Sequence, residues 1–129
     1  MAVGKFVPGY ARLGIGELRR RADLARKLLS PCNLCPRRCG VDRLSDETGY
    51  CLTGARARVY SYLSHHGEEP PISGRRGSGT VFFSGCSLRC VYCQNCEFSQ
   101  SPVGDELGSE GLADVFLALQ KACLLYTSD

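Results

Sequence analysis

Three cysteines, Cys86, Cys90 and Cys93, sit in a C-x3-C-x2-C spacing within residues 77–95, GSGTVFFSGCSLRCVYCQN, and are the residues best able to do chemistry. Soft thiolates this close together suit zinc or an iron–sulfur cluster, and four of them usually close a site. Three leave a position open. A [4Fe–4S] cube on three cysteines keeps one iron free for a small molecule, and Tyr92, beside the last thiol, offers a flat apolar face for a ring. The alternative is a zinc site completed by Cys96, and on spacing alone a structural or zinc role is the commoner outcome. Thr80, Val81, Phe82 and Phe83, bounded by Gly79 and Gly85, read as a buried strand. That strand delivers the thiols at its carboxyl end, where parallel α/β architectures keep their chemistry.

A second group, Cys32, Cys35, Cys39 and Cys51, has the spacing C-x2-C-x3-C-x11-C, which can close around one metal. Pro36, Gly40 and Gly49 permit the tight turns this requires. Zinc and a second [4Fe–4S] cluster fit equally well: iron–sulfur would feed electrons inward, and zinc would hold a loop-rich segment together. His65, His66, Glu68 and Glu69, just before Pro70 and Pro71, could hold a metal or move a proton, but such a turn is more often plain surface. The glycine-rich residues 74–79 lack the Lys-Ser/Thr ending of a phosphate loop and precede a strand instead of a helix. They read as a flexible approach to it.

The string Cys86-Ser-Leu-Arg-Cys90-Val-Tyr92-Cys93-Gln-Asn95 closely resembles the cluster loop of radical S-adenosylmethionine enzymes, above all pyruvate formate-lyase activating enzymes and their uncharacterised relatives. The resemblance extends over about residues 31–120, and includes the His-Gly-Glu-Glu-Pro string and a cysteine-rich leading segment. It implies that Cys86, Cys90 and Cys93 each ligate one iron of a [4Fe–4S] cluster. The fourth iron would chelate the amino and carboxylate groups of S-adenosylmethionine. Reductive cleavage would then yield methionine and a 5′-deoxyadenosyl radical that takes hydrogen from a substrate. Tyr92 would lie near the adenine, with Asn95 and Gln94 as polar neighbours. Relatives place an aromatic where this chain has Cys96, so Cys96 is expected to be a small buried thiol, not a ligand. The implied partners are an electron donor such as flavodoxin or ferredoxin and an unidentified substrate, either a glycyl-radical protein or a small molecule.

The fold the resemblance implies is α/β: the N-terminal part of a partial (β/α)6 barrel preceded by a cysteine-rich, loop-rich metal-binding segment. An eight-unit barrel needs roughly 250 residues, so 129 residues are expected to be a fragment, inactive by itself. The expected organisation is an arm and amphipathic helix over 1–30, the four-cysteine segment over 31–58 and a connecting segment over 59–78. The first barrel strand, cluster loop and helix follow over 79–122. Residues 123–129, Cys-Leu-Leu-Tyr-Thr-Ser-Asp, read as a non-native tail. Within this frame residues 17–29 should form a helix that covers part of the core, and residues 59–64 a strand. Residues 101–108 should be a polar loop, and Ser109 should cap a helix carrying Leu112, Val115, Phe116 and Leu119.

Charge is uneven. Residues 1–60 hold 12 Lys or Arg against 5 Asp or Glu, and residues 61–129 hold 4 against 8. The interleaved aromatics of a nucleic-acid face are missing, which leaves RNA binding a minor reading. Eight cysteines in two groups of four at metal-like spacings, with Cys123 set aside in the tail, no export signal and no bilayer-length apolar run point to a reducing cytoplasm and to no membrane role. The rival of another class is a noncatalytic zinc-binding adaptor or RNA-binding module.

Overall fold

The computed structural model describes Val7 and residues 9–122. The expected tail, 123–129, and most of the expected arm before residue 9 lie outside the described residues. Gly9–Arg12 is a short 3-10 turn, and helix α1 follows over Ile15–Lys27. The Gly14 carbonyl opens α1 by accepting the N–H groups of Glu17 and Leu18 at 3.0 and 3.1 Å. Glu17 accepts from Arg20 at 2.8 Å and Arg21 at 2.7 Å, and those bonds, Arg20's first, hold its carboxyl down to about 2. The helix buries no residue, and Leu24 and Leu28 remain 48% and 43% exposed, which corrects the expectation that it covers the core. Its stripe explains why: seven of thirteen residues are charged, and Leu18, Ala22 and Ala25 offer too little apolar area to compete for the sheet.

The sheet has three strands: β1 over Ala57–His65, β2 over Ser78–Phe83 and β3 over Asp105–Leu107, in the order β2-β1-β3. Residues 59–64 thus form a strand as expected, extended at both ends, and it is the central one. Both pairings are antiparallel, with Val59 opposite Phe83 and His65 opposite Ser78 on one side, and Ala57 opposite Leu107 on the other. The class is mixed α/β, but among the described residues no strand pair is parallel. The link between β1 and β2, residues 66–77, contains only the four-residue helix α2, Pro70–Ser73. Without a long crossover helix the chain doubles back on itself.

Strand β3 lies where a polar loop is expected. Asp105 and Glu106 have poor strand propensity, and long-range partners override it. Arg58 donates to the Glu106 carboxylate and, at 3.0 Å, to the Pro102 carbonyl. Gly104, at φ +95°, passes so close to β1 that a Cβ there would lie 2.7 Å from Tyr60 Cα. Helix α4, Ser109–Ala122, closes one face, burying Val115 and Leu119 against Val81 and Leu107. Gly79 lets it come close, since a Cβ there would sit 3.1 Å from Leu119 Cβ. Ser109 proves to be the first helical residue instead of the cap; the Gly108 carbonyl takes the Leu112 N–H at 3.0 Å. No described helix is long and apolar enough to cross a membrane.

Candidate metal centre

The cysteine loop hangs from the end of β2 by a buried serine. Ser84, 4% exposed, donates its N–H to Arg58 O at 2.9 Å and accepts the Val103 N–H on its hydroxyl at 3.1 Å. Its O–H faces the carbonyls of Phe98 at 2.8 Å and Ser101 at 2.5 Å, so one side chain ties the loop's start to its return. Cys86 Sγ accepts the Leu88 N–H at 3.4 Å, and the Cys90 carbonyl accepts from Cys93 N–H at 3.2 Å and Gln100 Nε2 at 2.9 Å. The short helix α3, Cys96–Ser99, then docks the loop on the sheet, with Phe98 stacked on Tyr60 at 4.7 Å and edge-on to Phe82 at 5.5 Å.

That docking decides which side chains face water. Tyr92 is 87% exposed and Val91 fully exposed, so both stand clear of the packed residues. The Cys93 thiol is held below its ordinary value, first by Ser99 Oγ at 3.4 Å, then by the Asn95 N–H. Asn95 precedes α3 and makes no side-chain capping bond to it. Cys96 is exposed, which corrects the expectation of a buried thiol. It opens α3, while the helix's packing runs through Phe98.

The four-cysteine segment is folded by backbone bonds around Cys32, which is 2% exposed. Cys32 N–H donates to Val41 O at 2.9 Å, Gly40 N–H returns to Cys32 O at 3.0 Å, and Arg38 N–H closes on Cys35 O at 3.0 Å. Both C-x3-C turns carry a left-handed arginine just before the closing cysteine, Arg38 at φ 42° and Arg89 at φ 49°. Gly49 leaves room for a sulfur, as a Cβ there would lie 2.8 Å from Cys39 Sγ.

The residue that sequence reading missed is Arg43, 4% exposed, whose Nε donates to Cys32 Sγ and Nη2 to Cys51 Sγ, both at 2.9 Å, while Nη1 donates to the Thr53 carbonyl. The Cys32 thiol is lowered chiefly by the Leu34 backbone N–H and then by Arg43. Burial pushes the Cys51 thiol up, but Arg43 and Thr53 together outweigh it and bring it down. Nothing local in the sequence separates Arg43 from its neighbours Arg37 and Arg38.

The two cysteine-bearing segments touch through side chains other than the thiols. Arg37 Nε donates to the Ser87 carbonyl at 2.5 Å, and its guanidinium lies 3.5 Å from the centre of the Tyr50 ring. Arg89 approaches the same ring at 5.1 Å and donates to Tyr50 O at 3.4 Å. Between them is a cleft of about 260 Å³ lined by Cys35, Pro36, Arg37, Ser87 and Leu88. The histidine turn forms no such junction: His65 Nε2 is 3.8 Å from Glu68 Oε1, and both are partly or wholly in solvent. Among the described residues no three Cys, His, Asp or Glu side chains lie close enough together to hold an ion. The thiols are gathered on two facing loops without converging on one point, and their soft donor chemistry fits zinc or iron–sulfur.

No family model matches the chain, and no solved structure matches it. An uncharacterised protein of Methanocaldococcus jannaschii is 35% identical to it over 80 residues, which make up 62% of this chain and 22% of that protein. The chain therefore spans less than a quarter of that relative's length.

Proposed function

We propose that the chain carries the cluster loop of a radical S-adenosylmethionine enzyme of the activating-enzyme-like group. The observation that carries this reading is the set of three thiols on one loop at the end of β2, with the Tyr92 ring in solvent beside the third. When bound, a [4Fe–4S] cluster with S-adenosylmethionine supplies one-electron cleavage of the sulfonium bond and hydrogen abstraction from a substrate. Cys86, Cys90 and Cys93 would each hold one of its irons. Ser99 and the Asn95 N–H hold the Cys93 thiol below its ordinary value, the direction that favours a metal ligand. Tyr92 would offer its exposed face to the adenine, and Asn95, which spends no side-chain bond on α3, would be a polar candidate to bond the same ligand.

A partial (β/α)6 barrel is the framework we propose for the complete enzyme. In its favour, β2 is an edge strand among the described residues, and a parallel neighbour adds at such an edge. The four-cysteine segment would hold zinc or a second cluster beside the loop, through Tyr50, Arg37 and Arg89. The proposed setting is a reducing cytoplasm, with flavodoxin or ferredoxin as donor and a glycyl-radical protein or a small molecule as substrate. The alternative, a noncatalytic zinc-binding adaptor or RNA-binding module, draws on the spacing, since four thiols can close around one zinc. Metal analysis after anaerobic reconstitution with iron, sulfide and zinc separates the two. About four irons per chain, or about eight if both groups take clusters, is the expected result; two zinc ions and no iron would establish the adaptor.

A further inference from the structure

We infer that Arg43 is the positioning residue of the four-cysteine centre, holding the Cys32 and Cys51 sulfurs together ahead of the metal and remaining hydrogen-bonded to them once it is bound. The inference rests on the proposed reading that Cys32, Cys35, Cys39 and Cys51 share one metal. Cys32 and Cys51 are far apart in sequence, yet both sulfurs lie 2.9 Å from one guanidinium. At 4% exposure, that cation is tolerated because each of its three nitrogens is answered, two by sulfur and one by the Thr53 carbonyl.

The Arg43 backbone is pinned as firmly as its side chain. Its N–H donates to Leu29 O at 3.1 Å, and Leu29 itself forms an isolated bridge with Cys32. The short turn Arg43–Ser45 is capped by Asp42, which accepts the Leu44 N–H at 3.0 Å. Metal ligands are commonly oriented by such a second layer of donors, whose loss weakens metal binding about 10–100-fold. A guanidinium between two thiolates also offsets the repulsion that bringing them together creates, and it donates without competing for the metal.

The test is a cobalt titration of the reduced, metal-free chain, read from the sulfur-to-cobalt charge-transfer absorbance and from competition with a chromophoric chelator. Arg43→Gln should bind Co2+ about 10–100-fold more weakly than the parent, and Arg43→Lys should fall between them. Arg56→Gln, which removes an exposed charge nearby, should leave affinity unchanged. Arg43→Gln binding as tightly as the parent would overturn the inference. If Arg43→Gln does not fold, Arg43→Lys decides: a folded Lys variant with parental affinity would overturn it, since one ammonium cannot reproduce the fork. A parent whose charge-transfer band is absent, or indifferent to Cys32→Ser and Cys51→Ser, would remove the four-cysteine reading itself.

Discussion

Replacing Cys86, Cys90 or Cys93 singly with alanine should abolish iron binding at the loop, lowering reconstituted iron by about four per chain. On the proposed reading each thiol is one of only three protein ligands, so a single loss would leave two, too few to retain a cube against hydrolysis and exchange. The loop gives the lost ligand no substitute. Cys96 is exposed at the start of α3, a helix held to the sheet by Phe98, and its backbone N–H is bonded to Cys93 O at 3.3 Å. Cys96→Ala should therefore leave the iron content unchanged. The comparison is decisive between readings, because a zinc site completed by Cys96 would lose its metal equally in all four variants. Total iron, zinc and acid-labile sulfide measured side by side check the result.

Gly85→Ala should cost about 3 kcal/mol and part the cysteine loop from the four-cysteine segment. Gly85 has φ +85°, where an L-residue with a Cβ is strained by roughly 1–2 kcal/mol. A Cβ there would also collide with Thr53 Oγ1 and lie 2.6 Å from the Cys51 carbonyl, which is backbone and cannot swing aside. Overpacking of that kind adds roughly 1–3 kcal/mol. Against a total stability of about 5–15 kcal/mol the loss is large, and in a domain of this size it should lower Tm by roughly 10–20 °C. Gly54→Ala is the control, since Gly54 has ordinary φ and nothing within 4 Å of a new Cβ. An unchanged Tm for Gly85→Ala would mean that the two loops are not in contact there.

Much of this was legible in the residues, and the parts that were not share a cause. Strands β1 and β2 and helix α4 announce themselves by short-range apolar pattern, and both cysteine groups by spacing. Strand β3 does not, because Glu106 is held by Arg58 and Asp105 lies opposite Val59, partners far away in sequence. Helix α1 shows the reverse fault: a helical stripe says that a helix forms, not that anything lies beneath it. Antiparallel pairing of β1 and β2 depends on the short link 66–77, whose double proline marks a turn without stating the direction of the strand that follows. Arg43, Arg37 and Tyr50 give no sequence signal because their partners are sulfurs, a distant carbonyl and arginine side chains, none of which leaves a periodic trace. Loop residues whose contacts are long-range are thus where a single chain says least about its own site.

The claim on which the functional reading depends is that three thiolates leave one iron open to the amino and carboxylate groups of S-adenosylmethionine. Electron paramagnetic resonance of the reduced, anaerobically reconstituted protein, recorded with and without S-adenosylmethionine, tests it most directly. A spectrum that shifts on addition of S-adenosylmethionine, and does not shift with S-adenosylhomocysteine truncated to lack the amino and carboxylate groups, is the result expected. Superimposable spectra with and without S-adenosylmethionine would contradict it.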